Sequence, residues 1–74
     1  MVLERLTALL EAEYACDPDE VTMAAALDDL NLTDRERAEI AFFLGDLYGV
    51  EIPEEEIAGF LYVEDLVGYI EDRL

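Results

Sequence analysis

The feature that most restricts this chain is the spacing of its apolar residues. Val63, Leu66, Val67, Ile70 and Leu74 recur at steps of three and four. That spacing lines them along one side of an α-helix but would scatter them over both sides of a strand. The same rhythm runs through Val2, Leu3, Leu6, Leu9, Leu10 and Tyr14, and again through Ile40, Leu44, Leu47 and Tyr48, with Ala41 and Phe43 on the flanks. Each stripe needs a covering partner, and in 74 residues the other stripes are the only ones at hand. The expected fold is all-α. It is an antiparallel four-helix bundle of three longer helices and one short one, with a long first loop, and residues 1–74 form one domain.

Local signals set the element boundaries. A helix over residues 2–14 ends in "ACDPDEVT", where Pro18 and short acids favour loop conformations. Thr22 is placed to cap a short helical turn through "MAAALDDL". The sharpest start is "TDRE" at 33–36, which fits a reciprocal capping box between Thr33 and Glu36, with Asp34 set against the positive end of the helix dipole. This helix runs to Gly49, a natural stop. "VEIP" reads as extended, and Pro53 opens a brief helix, "EEEIAGF". The last helix spans Val63 to Leu74, and Gly68 within it is expected at a close approach to a neighbour.

Charge narrows the function classes. Twenty acids against four arginines give a formal charge of −16. Such a chain repels nucleic acid and anionic membranes and favours partners with basic patches. One cysteine, Cys16, excludes an internal disulfide and fits a reducing compartment. No apolar run suits a signal peptide or a membrane span, so a cytoplasmic monomer is expected. The chain has no histidine, serine or lysine, which leaves acid–base or nucleophilic catalysis to carboxylates, tyrosines or one thiol. No enzyme is expected. The acid runs "DPDE" and "EEE" lack the spacing of a calcium loop, so no metal site is expected either.

Three stretches together resemble the acyl carrier protein family. "DDLNLTDRERAEI" is similar to the family's acid–acid–Leu–Gly–x–Asp–Ser–Leu and the acidic helix after it. "LYGVEIPEEE" resembles Phe-Gly-Ile-x-Ile-Pro followed by acids, and "VEDLVGYI" resembles the final-helix pattern Val-x-Asp-Val-Val-x-Tyr-Ile. The register between the three is kept along nearly the whole chain. The resemblance implies a four-helix carrier fold, and a phosphopantetheine arm on the serine of Asp-Ser-Leu that holds cargo as a thioester. Here that position, counted back from Pro53, is Asp34, flanked by Thr33 and Arg35. A carboxylate cannot act as the phosphoryl acceptor, so no cofactor is expected.

Two functions follow from the resemblance. One is a carrier-like domain that lacks the arm and acts as a protein-interaction module through its second helix. The other is an acyl or peptidyl carrier of fatty-acid, polyketide or peptide biosynthesis, with an unusual attachment residue or a natural serine replaced. The candidate partner-binding residues are Asp34, Arg35, Glu39, Phe42 and Asp46, facing enzymes with basic carrier-docking patches. Asp34 reads either as a first-turn acid or as a fixed negative charge standing in for part of a phosphodiester. Arg35 leans towards partner contact and Arg37 towards relief of repulsion among Asp28, Asp29 and Glu39. Phe42 is either core or an exposed anchor. Cys16 reads as a small filler rather than an alternative thiol. Phe43, where the family carries a small residue beside its acyl cavity, is expected to fill part of that cavity.

Overall fold

The computed structural model describes residues 1–74 and contains four α-helices: α1 (Val2–Tyr14), α2 (Asp34–Tyr48), α3 (Glu54–Gly59) and α4 (Val63–Glu71). All three apolar stripes meet in one interior, where Leu6, Leu10, Leu44, Val63, Val67 and Ile70 are almost completely buried. The buried set contains no polar or charged side chain. Burial of this kind is worth about 25 cal/mol for each Å² of apolar surface removed from water, and it is the main force holding the bundle together. The radius of gyration is 10.9 Å, near the ~11 Å of a folded chain of this length.

Helix ends follow the local chemistry. Thr33 Oγ1 accepts from the Glu36 N–H at 3.1 Å, and the Thr33 N–H donates to Glu36 Oε1 at 2.9 Å. That is the full capping box, and it fixes where α2 begins. Gly49 ends α2 in the left-handed conformation, φ 68°, which glycine adopts without a Cβ penalty. At α4 the Asp65 carboxylate accepts from the N–H groups of Leu61 and Tyr62, at 2.9 and 3.0 Å. These two bonds hold its carboxyl below the usual aspartate range.

The long first loop is more ordered than its composition suggests. Pro18–Glu20 and Leu27–Leu30 are short 3₁₀ turns. Asp17 caps the first by accepting from the Asp19 N–H. The second begins after Ala26 rather than at Thr22, whose carbonyl only accepts the Ala25 N–H. Backbone hydrogen bonds from Leu27 to Leu61, from Val63 to Ala25 and from Glu64 to Met23 tie this loop to the α3–α4 connection. These long-range bonds have no periodic signature in the sequence.

Four packing expectations need correction. Leu47 and Phe43 are about half exposed, while Ala41 and Gly45 are buried beside Ile40 and Leu44. The small residues allow a close approach, so α2 is rolled towards them and away from Phe43 and Leu47. A Cβ on Gly45 would collide with the Val50 carbonyl, whereas one on Gly68 would meet nothing. Gly45, not Gly68, is therefore the close-contact glycine. Leu74 is exposed because α4 ends at Glu71 and leaves the last residues outside the stripe.

Candidate functional site

Residues 35, 39, 42 and 46 are separated by four, three and four positions, so a helix aligns them along one line. Once Ile40, Ala41, Leu44 and Gly45 turn inwards, that line faces solvent. Arg35, Glu39, Phe42 and Asp46 are accordingly all exposed, Phe42 to 77%. The alternative of a core role for Phe42 is thereby excluded. A bare ring on a helix face is the kind of group that anchors protein contacts.

Electrostatics on this line are loose. Arg35 Nε lies 3.8 Å from Glu39 Oε2, with the arginine side chain 90% exposed. An exposed pair one helical turn apart is worth only about 0.3–0.5 kcal/mol, so Arg35 remains available to another molecule. Glu39 also accepts from the Tyr14 hydroxyl at 3.4 Å. Burial, with Glu39 second, pushes the Tyr14 phenol up. Beside this contact Leu9, Glu13, Phe42 and Phe43 form a shallow bowl between α1 and α2. Phe43 therefore faces outwards into the bowl and does not fill the interior.

Asp34 stands apart from the line. It is the first residue of α2, exposed, and it borders an open groove with Arg35, Ala38, Glu54, Ile57 and Ala58. Its carboxylate suits the positive end of the helix dipole, but it has no hydroxyl to accept a phosphoryl group. The neighbouring Thr33 hydroxyl is exposed and engaged in the capping box. Cys16 is half-buried, with Sγ near the carbonyls of Tyr14 and Leu30. Burial, then Glu20 and Glu36, push its thiol up, which disfavours the reactive thiolate and fits a packing role.

Arg37 behaves differently from Arg35. Its side chain is 19% exposed, and Nη2 pairs with Asp28 Oδ1 at 2.5 Å, joining α2 to the Leu27–Leu30 turn. Relief of local negative charge is met through Asp28. Below the stem of Arg37 lies an apolar cavity of about 20 Å³, bounded by Leu6, Leu10, Leu32, Ile40 and Ile57 among others. The sequence expectation missed the exposed pair Phe43 and Leu47 as well as this half-buried arginine. The small residues Ala41 and Gly45 were the available signal for the first.

No helix is long and apolar enough to cross a membrane. No family model matches the chain. Comparison with curated proteins is more informative. The chain is 35% identical over 71 residues to the acyl carrier protein of Rhodococcus erythropolis, covering 95% of this chain and 78% of the relative. It is 37% identical over 71 residues to the meromycolate extension acyl carrier protein of Mycolicibacterium aurum, with 95% and 73% covered. It is 30% identical over 74 residues to the acyl carrier protein of Thermosynechococcus vestitus, with 99% and 91% covered.

Proposed function

Because this chain belongs to the acyl carrier protein family, whose members are carriers and not enzymes, we propose that it keeps the family fold while carrying no arm. It acts instead as an interaction module. What supports this reading is the start of α2, where Asp34 stands at the position that the resemblance assigns to the attachment serine, in a chain that contains no serine. A carboxylate offers no hydroxyl for phosphoryl transfer, and Thr33 beside it is one residue out of register.

The docking surface is the exposed line of Arg35, Glu39, Phe42 and Asp46, with Asp34 off the line beside Arg35. Phe42 supplies apolar contact, and the acids favour an approach by basic patches on partner enzymes. Arg35 places a positive charge among them and so selects between partners, mainly through encounter rate. Bound in this way, the chain occupies a carrier-docking surface without delivering cargo.

Competition tests the reading. The substrate in the assay is a serine-bearing acyl carrier protein, turned over by a carrier-dependent enzyme. Added chain should raise the apparent KM for that carrier, and Phe42→Ala should relieve the effect. Inhibition that Phe42→Ala leaves intact, or no inhibition at a large molar excess, would remove the docking role. The other reading, a working carrier armed at an unexpected residue, is favoured only by the near-complete match to proteins named as carriers. It differs in a directly measurable mass.

A further inference from the structure

The roll of α2 that turns Phe42 and Phe43 outwards leaves a hollow on its α1 side. Leu9 and Glu13, one turn apart on α1, face Phe42 and Phe43 across it, and the bond from the Tyr14 hydroxyl to Glu39 Oε1 spans the two helices. Four of the six lining residues are apolar or aromatic, and the other two are carboxylates. None of the four arginines of the chain borders the hollow. Arg37 pairs with Asp28, Arg73 lies over Tyr69, and Arg35 stays in solvent 3.8 Å from Glu39. The negative charge of the hollow is therefore not neutralised from within. The Tyr14 phenol registers it: burial pushes its pKa up first, and the charges of Glu39, Glu36 and Glu13 add to that.

Elsewhere the same chain shows what group suits rings set beside oxygens. The guanidinium carbon of Arg73 lies 3.4 Å from the Tyr69 ring centre, and its Nη1 donates to the Tyr69 carbonyl at 2.9 Å. A guanidinium uses its flat face on the ring and its N–H edge on the oxygen at once.

We propose that the hollow between α1 and α2 seats an arginine side chain of the docked partner protein, its guanidinium against Tyr14 and Phe43 and its N–H edge on Glu13 and Glu39. A second copy of this chain is a poor occupant, because two chains of charge −16 repel one another. A quaternary ammonium fits less well too. It has no N–H for the carboxylates, and an open hollow of about 520 Å³ does not enclose it. An apolar residue beside the arginine would cover Phe42. The inference rests on the interaction-module reading and extends its surface onto α1, so that partner choice lies partly off the α2 line.

The probes are N-acetyl-arginine methylamide, its uncharged citrulline counterpart and tetramethylammonium. Each is titrated into the whole chain at physiological ionic strength and followed by the aromatic ring signals in NMR. The arginine probe should shift Tyr14, Phe42 and Phe43 saturably and leave Tyr62, which does not border the hollow, nearly unmoved. Citrulline should bind about fivefold or more weakly, since it lacks both the cation–ring attraction and the ion pairs. Tetramethylammonium should also bind more weakly than arginine. Phe43→Ala and Glu13→Gln, both at exposed positions, should each weaken arginine binding about two- to fivefold. Citrulline or tetramethylammonium binding as tightly as arginine would overturn the seat, as would shifts at Tyr62 as large as those at Tyr14. Folded variants that bind arginine like the wild type would overturn it as well. Should the variants fail to fold, the three probes on the wild type decide. The seat is read on the free chain and docking on enzyme turnover, so failure of one is told apart from failure of the other.

Discussion

Two glycines in two helices should respond to the same substitution with opposite signs. In a helix interior, alanine is favoured over glycine by about 0.8–1 kcal/mol, because the glycine backbone loses more freedom on folding. At Gly68 an added Cβ meets nothing within 4 Å, so Gly68→Ala should collect most of that gain. At Gly45 the new Cβ would run into the Val50 carbonyl and also meet Ile52 Cδ1 at 3.4 Å. The isoleucine tip can move. The carbonyl cannot move freely, because the Val50 N–H donates to the Gly45 carbonyl at 2.8 Å and fixes that turn of chain. Overpacking against an unyielding neighbour costs about 1–3 kcal/mol, and a backbone obstacle belongs in the upper part of that range. Net of the helix gain, Gly45→Ala should destabilise by about 1–2 kcal/mol. The propensity contribution cancels between the two variants, so their difference isolates the clash. For a domain of this size 1 kcal/mol moves Tm by about 4–8 °C. Thermal and urea unfolding of both variants should place Gly68→Ala above the wild type and Gly45→Ala below it. Similar increases for both would refute the close approach of α2 to the 50–52 segment.

Other consequences are direct. Thr33→Ala removes one bond of the capping box and should cost about 1 kcal/mol in urea unfolding, with hydrogen exchange rising first in the opening turn of α2. Asp65 has a lowered pKa, so its carboxylate stabilises the fold above its unfolded value and that contribution is lost as pH falls through the lower folded one. The stability gap between wild type and Asp65→Ala should therefore be full near neutrality, shrink below about pH 4, and so appear in pH-resolved melting curves. A charge of −16 opposes compaction, and added sodium chloride should raise Tm by screening it; a flat or falling Tm would show that self-repulsion is not limiting.

Much of the fold was legible because helical periodicity and capping chemistry are local. The α2 start at Thr33, its stop at Gly49 and the inward stripe of α4 each rest on residues within a turn or two of one another. The face that α2 turns inwards is a different kind of fact. Leu47 and Phe43 are as apolar as Leu44, and only the need of Ala41 and Gly45 for a close neighbour shows which side is covered. Gly68 misled for the complementary reason: a glycine within a helix does not reveal whether a neighbour approaches it. The candidate line on α2 came from the resemblance to the carrier family, and its exposure follows from that same roll of the helix. Arg37 was harder to read. Its charge pointed to Asp28, but the position of its stem over the cavity depends on α1, α3 and the first loop together.

The account turns on one chemical absence at the start of α2, and intact mass measures it. The chain would be incubated with coenzyme A and a broad-specificity phosphopantetheinyl transferase beside a serine-bearing carrier as positive control. The account predicts that the control gains one phosphopantetheine arm and that this chain gains none. A stoichiometric gain on this chain would contradict it, and peptide mapping to Thr33, Cys16 or another residue would then locate the attachment.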